Sequence, residues 1–156
     1  MTIALAPVTV ALASAEATAF NPVEFFRGKT HGDGVLKVIF QSPEKILVDS
    51  EGSEEKGGSL LLKQTIHEPG KPQRIRYWRL RQTGPARFDG TLTDAAGPVR
   101  VDVVGNKVRI RYEAKNHLNF DQWLSQAAPG EVKNSMRVKR FGIIVGRFEE
   151  VIRKVD

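Results

Sequence analysis

From Gly34 to Ile152 apolar and polar residues alternate with a period of two, and this restricts the chain to β structure with one face turned toward a core. Gly34, Leu36, Val38 and Phe40 share one face of a first strand. Ile46 and Val48 follow, then Leu60, Leu62, Gln64 and Ile66. Val99, Val101 and Val103 alternate with Arg100 and Asp102. Val108, Ile110 and Tyr112 alternate with Lys107, Arg109 and Arg111. Leu118, Phe120, Trp123 and Leu124 continue the series. Asn134, Met136 and Val138 oppose Lys133, Arg137 and Lys139, and Ile144, Phe148 and Ile152 are expected on one face of the last strand.

Turn signals separate these runs at Ser42-Pro43, Lys56 to Ser59, Pro69-Gly70, Thr83-Gly84-Pro85, Gly97-Pro98, Gly105-Asn106 and Pro129-Gly130. No long amphipathic helical pattern interrupts them, which argues against a parallel βαβ fold. About ten short strands at this spacing predict an all-β fold, an antiparallel up-and-down β-barrel. Ahead of the strands, Asn21 can cap a short helix with Pro22 in its first turn and Glu24 three residues after the cap. It runs through Phe25 and Phe26, and Arg27-Gly28 ends it. A single narrow stripe cannot bury both, so one of them is expected to plug an end of the barrel.

With 156 residues, one domain is the expectation, spanning 20–156. Residues 1–19 differ from the rest. Ile3 to Leu12 is a short apolar run, and Ala13-Ser14-Ala15 and Ala17-Thr18-Ala19 both fit the small-residue pattern of a signal-peptidase site. The stretch lacks the positive start of an export signal. It reads as the remnant of one; a disordered tail and a buried strand are the alternatives. The run is too short for a membrane span.

Chemistry-bearing motifs are few. The chain has no cysteine, hence no disulfide and no thiolate metal site. Its three histidines, His31, His67 and His117, do not stand at metal-ligand spacing. Gly28-Lys29-Thr30 lacks the earlier glycine and the following helix of a phosphate-binding loop. Glu149 and Glu150 alternate across a strand and cannot act as a dyad. No nucleophile elbow is present. Neither catalysis, a cofactor nor a metal has positive support, and an enzyme acting on a lipid-like substrate is the weakest reading.

Arg74-Ile75-Arg76-Tyr77-Trp78-Arg79-Leu80-Arg81 is more informative. On a strand, Arg74, Arg76, Trp78 and Leu80 face one way and Ile75, Tyr77, Arg79 and Arg81 the other. A nucleic-acid surface gathers its cations on one face, so this split argues against nucleic acid as a partner. If Trp78 and Leu80 point inward, Arg76 points inward near a barrel mouth. There it needs a partner, either an acid such as Asp94 or Asp121, or the head of an anionic ligand. The ligand-binding candidates are therefore Arg76 to engage a head group, Trp78, Tyr112, Trp123 and Met136 to line a pocket, and Gln64 and Asn134 to orient its contents. A net charge of +6 favours anionic partners, an anionic lipid surface among them. A fully packed barrel with a basic outer face, serving as a structural or interaction module, is the alternative to a ligand binder.

Several stretches together resemble a known family: Phe25 to Gly34, Gln64, Trp78, Gly90 to Pro98, Gly105-Asn106, Arg111-Tyr112, Gln122-Trp123-Leu124, Asn134-Ser135-Met136 and Phe141-Gly142. They look like an uncharacterised proteobacterial family of short envelope proteins, a domain of unknown function with some lipoprotein members. The resemblance spans Phe20 to Lys154. It implies export, a periplasmic or secreted location and a calycin-like (lipocalin-like) barrel. It carries no catalytic residues, and this chain lacks the cysteine of the lipoprotein members. Protein isolated from its native host is expected to begin at Glu16 or Phe20. An intact mass that retains residues 1–15 in a cytosolic fraction would count against export.

Overall fold

The computed structural model describes residues 20–155; the expected export remnant at 1–19 lies outside them. The elements are α1 (Pro22–Phe25), β1 (Gly28–Val38), β2 (Glu44–Glu54), β3 (Leu60–His67), β4 (Arg74–Gly84), β5 (Arg87–Leu92), β6 (Val99–Val104), β7 (Lys107–Glu113), β8 (Asn119–Ala128), β9 (Glu131–Arg140) and β10 (Ile143–Val155). Each strand pairs antiparallel with its sequence neighbours, and β10 closes the circle against β1. The result is an up-and-down barrel of ten strands, as the alternation predicts. Closure leaves no unpaired sheet edge.

One end is sealed by α1. The Asn21 side chain accepts hydrogen bonds from the amides of Val23 at 3.0 Å and Glu24 at 3.3 Å, which supplies two of the helix's unpaired donors. Both Phe25 and Phe26 are buried, and not by a single stripe. A one-turn helix seated in a barrel end is enclosed on several sides, so no single stripe limits it. Phe20 and Phe25 meet edge to face at 5.5 Å, and Phe25 and Phe26 at 5.0 Å. Lys154 donates from Nζ to the Arg27 carbonyl and lies 5.7 Å from the Phe25 ring. Beneath this plug Leu60, Leu62, Leu80, Phe88, Val101, Val108, Leu124 and Val132 form the packed core.

A second, separate apolar cluster occupies the other half. It consists of Ile46, Val48, Ile66 and Phe148 with Leu36 and Met136 against them. Outward positions carry cross-strand ion pairs such as Arg79–Glu55, Arg109–Asp121 and Arg153–Glu131. An apolar interior under a charged exterior is the inverse of a membrane-spanning barrel.

Two strand ends depart from strict alternation. Phe40 does not continue the face of Leu36 and Val38. It lies beyond β1 with φ 62° and is fully exposed, because the left-handed turn rotates it away. Ile144 does not share the face of Phe148 and Ile152. A bulge between Ile144 and Gly146 inserts one residue and sets Ile144 opposite Lys139.

The plug depends on one close approach. Gly52 of β2 lies directly under the Phe26 carbonyl oxygen, and any Cβ there would overlap it. Gly52→Ala is expected to lower unfolding free energy by about 1–3 kcal/mol, the usual range for overpacking. Denaturant titration measures it; an unchanged midpoint would mean that α1 adds little to the fold.

Candidate ligand-binding cavity

The barrel half away from α1 encloses a cavity of about 650 Å³. Its geometry follows from register. The inward residues nearest the mouth leave space, and the next inward layer closes it. One wall is apolar: Leu36, Val38, Ile46, Val48, Ile66, Met136, Val138 and Phe148. The other is aromatic and cationic. Tyr112 and Phe120 stack with centroids 4.8 Å apart and planes 6° apart, and Trp78 meets Tyr112 edge to face at 5.7 Å. Arg74 and Arg76 of β4 stand beside them, with Thr93, Asp94, Lys115 and Asn116 from the mouth loops.

Arg76 is the pivot of this wall. Its Nε donates to Gln64 Oε1 at 2.8 Å, its guanidinium lies 5.3 Å from the Trp78 ring centroid, and Nη1 is 3.6 Å from Asp94 Oδ2. Arg74 Nη1 donates to the same Asp94 oxygen at 2.6 Å. Of the two expected acids, Asp94 is therefore the partner; Asp121 is bound on the outer face by Arg109 through two bonds of 2.9 and 2.7 Å. One aspartate shared by two arginines leaves cationic donor capacity at the mouth. The side chain of Arg76 is 20% exposed, so it is desolvated on one side and open to the cavity on the other. Burial raises the pKa of the Tyr112 phenol, opposed by nearby Arg76, so Tyr112 is a neutral hydroxyl near that cation.

Below the cavity a polar layer separates it from the packed core. Gln64 Oε1 accepts from both Trp78 Nε1, at 2.6 Å, and Arg76, while its Nε2 donates to Ser50 Oγ at 3.3 Å. Across the barrel, Asn134 Nδ2 donates to Glu150 Oε1 at 3.1 Å, both residues being buried. A Cβ on Gly32 would come within 2.5 Å of Glu150 Oε2, so glycine there makes room for the carboxyl. Burial pushes the Glu150 pKa up, with the Asn134 hydrogen bond and the charge of Arg76 opposing.

Among the sequence candidates, Arg76, Tyr112 and Met136 line the cavity. Gln64, Trp78 and Asn134 belong to the floor. Trp123 does neither. Its register partners are Arg109 and Ser135 on the outer face, and the Arg109 guanidinium lies 5.1 Å from its ring centroid. Leu124, one residue on, takes the inward place at the same level, because adjacent strand positions point to opposite faces. Glu150 escaped the sequence reading, although its place between inward Phe148 and Ile152 marked it. Phe120 and Arg74 were assigned faces without a role. Outside the barrel, Asp49 holds His31 at 2.6 Å and His67 at 3.2 Å, which depresses the Asp49 pKa. The described residues include no group of three or more that could hold a metal ion.

Residues 2–154 match the family described as "Protein of unknown function (DUF3833)", and the chain belongs to it. No curated protein matches the sequence. Among solved structures, the S-type phycobiliprotein lyase CPES from Guillardia theta superposes with a TM-score of 0.70 at 7% identity, over 86% of this chain and 90% of its own. At that identity the likeness is one of fold, a calycin-like barrel. EF1p2_mFAP2b bound to DFHBI covers 85% of this chain and 96% of its own at 8% identity, with a TM-score of 0.46 that is too low to carry an argument.

The raised Glu150 pKa makes a signed prediction. As pH rises, the unfolded chain releases this proton first, so stability falls from the ordinary glutamate range until folded Glu150 ionises too. The depressed Asp49 and Asp121 carboxyls act oppositely, losing stability as pH falls. Glu150→Gln isolates the first effect. The variant is expected to match or exceed the wild type at pH 7, with its advantage shrinking toward pH 4. Urea unfolding across that range measures the difference, and a gap independent of pH would place Glu150 in a less buried setting.

Proposed function

We propose that this DUF3833 protein is an exported, non-enzymatic binder of a small amphipathic molecule with an apolar body and an anionic head. The observation that carries the reading is an apolar cavity whose mouth holds Arg74, Arg76 and Lys115 against one acid, Asp94, which Arg74 and Arg76 share, since Glu68 is taken by Lys71. A volume of about 650 Å³ suits a small-ligand site. The body would lie against Ile46, Val48 and Phe148, and the head would meet the open side of Arg76 and Tyr112. Gln64 would fix the guanidinium from below. The calycin-like fold shared with a phycobiliprotein lyase is compatible with this use, and the small-residue pattern before Phe20 supports export.

Magnitudes divide the work. Each methylene moved out of water contributes about 0.8 kcal/mol, whereas a charge-assisted hydrogen bond contributes roughly 1.5–3 kcal/mol. The tail would dominate affinity and the head would set orientation. Native mass spectrometry of protein purified from its own host is expected to reveal a co-purifying molecule. With laurate as a probe, Arg76→Ala is expected to weaken binding roughly tenfold, equivalent to about 1.4 kcal/mol. Dodecanol binding should change little. Arg79→Ala, which removes an outward ion pair with Glu55, should leave both unchanged. Equal losses of laurate and dodecanol would place Arg76 in a purely structural role, and binding of neither by the wild type would sink the proposal.

A further inference from the structure

The rim of the cavity carries a feature that ligand binding does not use. Of the nine large hydrophobic side chains exposed among the described residues, four gather at one corner of the mouth: Ile39, Phe40, Phe141 and Ile143. The corner is formed by the β1–β2 turn and the β9–β10 turn. Register brings them together, because Val38 pairs with Gly146 and the Ile39 amide donates to the Val145 carbonyl at 3.0 Å.

Both phenylalanines are displayed by strained backbone. Phe40 has φ 62° and is 102% exposed; Phe141 has φ 50° and is 86% exposed. Phe141-Gly142 is a two-residue hairpin loop with positive φ at both positions, a place that asparagine, aspartate or glycine usually fills. A bulky residue in the left-handed region is strained, and strain of that kind concentrates at functional sites. Neither ring gains burial in return.

Directly below, on the outer face of β9, β10 and β1, lies a cationic row; the neighbouring acid on β8, Asp121 opposite Arg137, is held by Arg109. Lys37 stands opposite Arg147, and Arg147 stands opposite Arg137. Like charges facing each other across strands destabilise a sheet. Lys139 and Arg140 add to the patch, and the Arg140 guanidinium lies 5.5 Å from the Phe141 ring centroid. Among the described residues none of these five cations is in an ion pair, whereas most outward arginines elsewhere are. The nearest acids on the three strands sit further from the mouth. Asp33 is engaged by Lys45, and Glu149 accepts from Ser135.

We infer that this corner docks the barrel mouth onto an anionic lipid bilayer. Phe40, Phe141 and Ile143 enter the interfacial layer, and Lys37, Lys139, Arg140 and Arg147 meet the head groups. Aromatic side chains partition to that depth, and lysines and arginines are drawn to an anionic surface. A free soluble anion would use the cations but leave the rings without a role. The docking surface rests on its own residues and stands whether or not the cavity binds laurate.

Co-sedimentation tests it, using vesicles of phosphatidylcholine alone and with about one-third phosphatidylglycerol, in roughly 20 mM and roughly 500 mM salt. Binding is expected to the anionic vesicles at low salt, and at least tenfold more weakly to neutral vesicles or at high salt. Phe40→Asn with Phe141→Asn keeps residues that accept positive φ, so the fold is retained. That pair is expected to lose at least tenfold in vesicle affinity while laurate binding is unchanged. Lys37→Glu with Arg147→Glu should abolish the preference for anionic lipid, and Lys56→Glu at the plugged end should not. Vesicle binding absent in the wild type, or equal in all variants, overturns the inference. So does concentration-dependent dimerisation that the phenylalanine pair abolishes without any vesicle binding, which would assign the corner to a second copy of the chain.

Discussion

The double acceptance at Gln64 Oε1 organises the interior. One carbonyl oxygen takes the Trp78 indole proton and the Arg76 Nε proton, and this fixes both side chains at one height in the barrel. Below them, aliphatic side chains meet the α1 plug and exclude water. Above them, Arg76 is held with its outer nitrogens toward the mouth and cannot fold down into the core. A buried polar group without a partner costs roughly 1–3 kcal/mol, so the bonds of Gln64 to Ser50 and Trp78, and of Asn134 to Glu150, offset most of the layer's burial, while the Asn134 side-chain oxygen stays unpaired. Replacing the layer with leucines would close the barrel into one continuous core and remove the cavity's floor.

The same layer explains why two apolar clusters exist instead of one. Phe148 and Ile152 lie on one face of β10 but belong to different clusters, with Glu150 between them. The lower cluster is closed by Phe20, Phe25 and Phe26 and has no opening of its own. Among the described residues the upper cluster has no corresponding plug. Its open side meets the loops that follow β1, β3, β5, β7 and β9, which carry most of the mouth's polar groups. Stability is thus concentrated at one end and binding capacity at the other.

Period-two alternation carries the fold to the reader almost completely, because a strand's side-chain direction is fixed by parity alone. Ten strands and the shared face of Arg74, Arg76, Trp78 and Leu80 follow from it; that this face points inward, and that Asp94 and not Asp121 pairs with Arg76, come from the closed barrel. What parity cannot show is where it breaks. The left-handed turn at Phe40 has no glycine to announce it, and the bulge at Val145 is marked only by Gly146, so period two alone sets Ile144 and Phe40 on the wrong face. Trp123 failed differently: Trp123 and Leu124 are adjacent and both apolar, and only the register with Val108 and Asn134 shows that Leu124 takes the inside. Hydrophobicity favoured the tryptophan, while the Arg109 guanidinium that covers its outer ring belongs to a neighbouring strand.

Whether a cavity exists is harder still to read from sequence, since it depends on side-chain volume summed around the barrel. Gly146 lines the cavity without a side chain, and the inward residues above the floor are largely valine, isoleucine, leucine and methionine, too short to meet across ten strands. In the lower half, Phe88 and Trp78 reach the centre, and the α1 phenylalanines complete the filling from the end. The difference between a packed barrel and a hollow one therefore rests on about one layer of large side chains. The outward placement of Trp123 belongs to the same account. An indole turned inward at that level would lie beside Trp78 and Asn134 and crowd the floor on which the geometry of Arg76 depends.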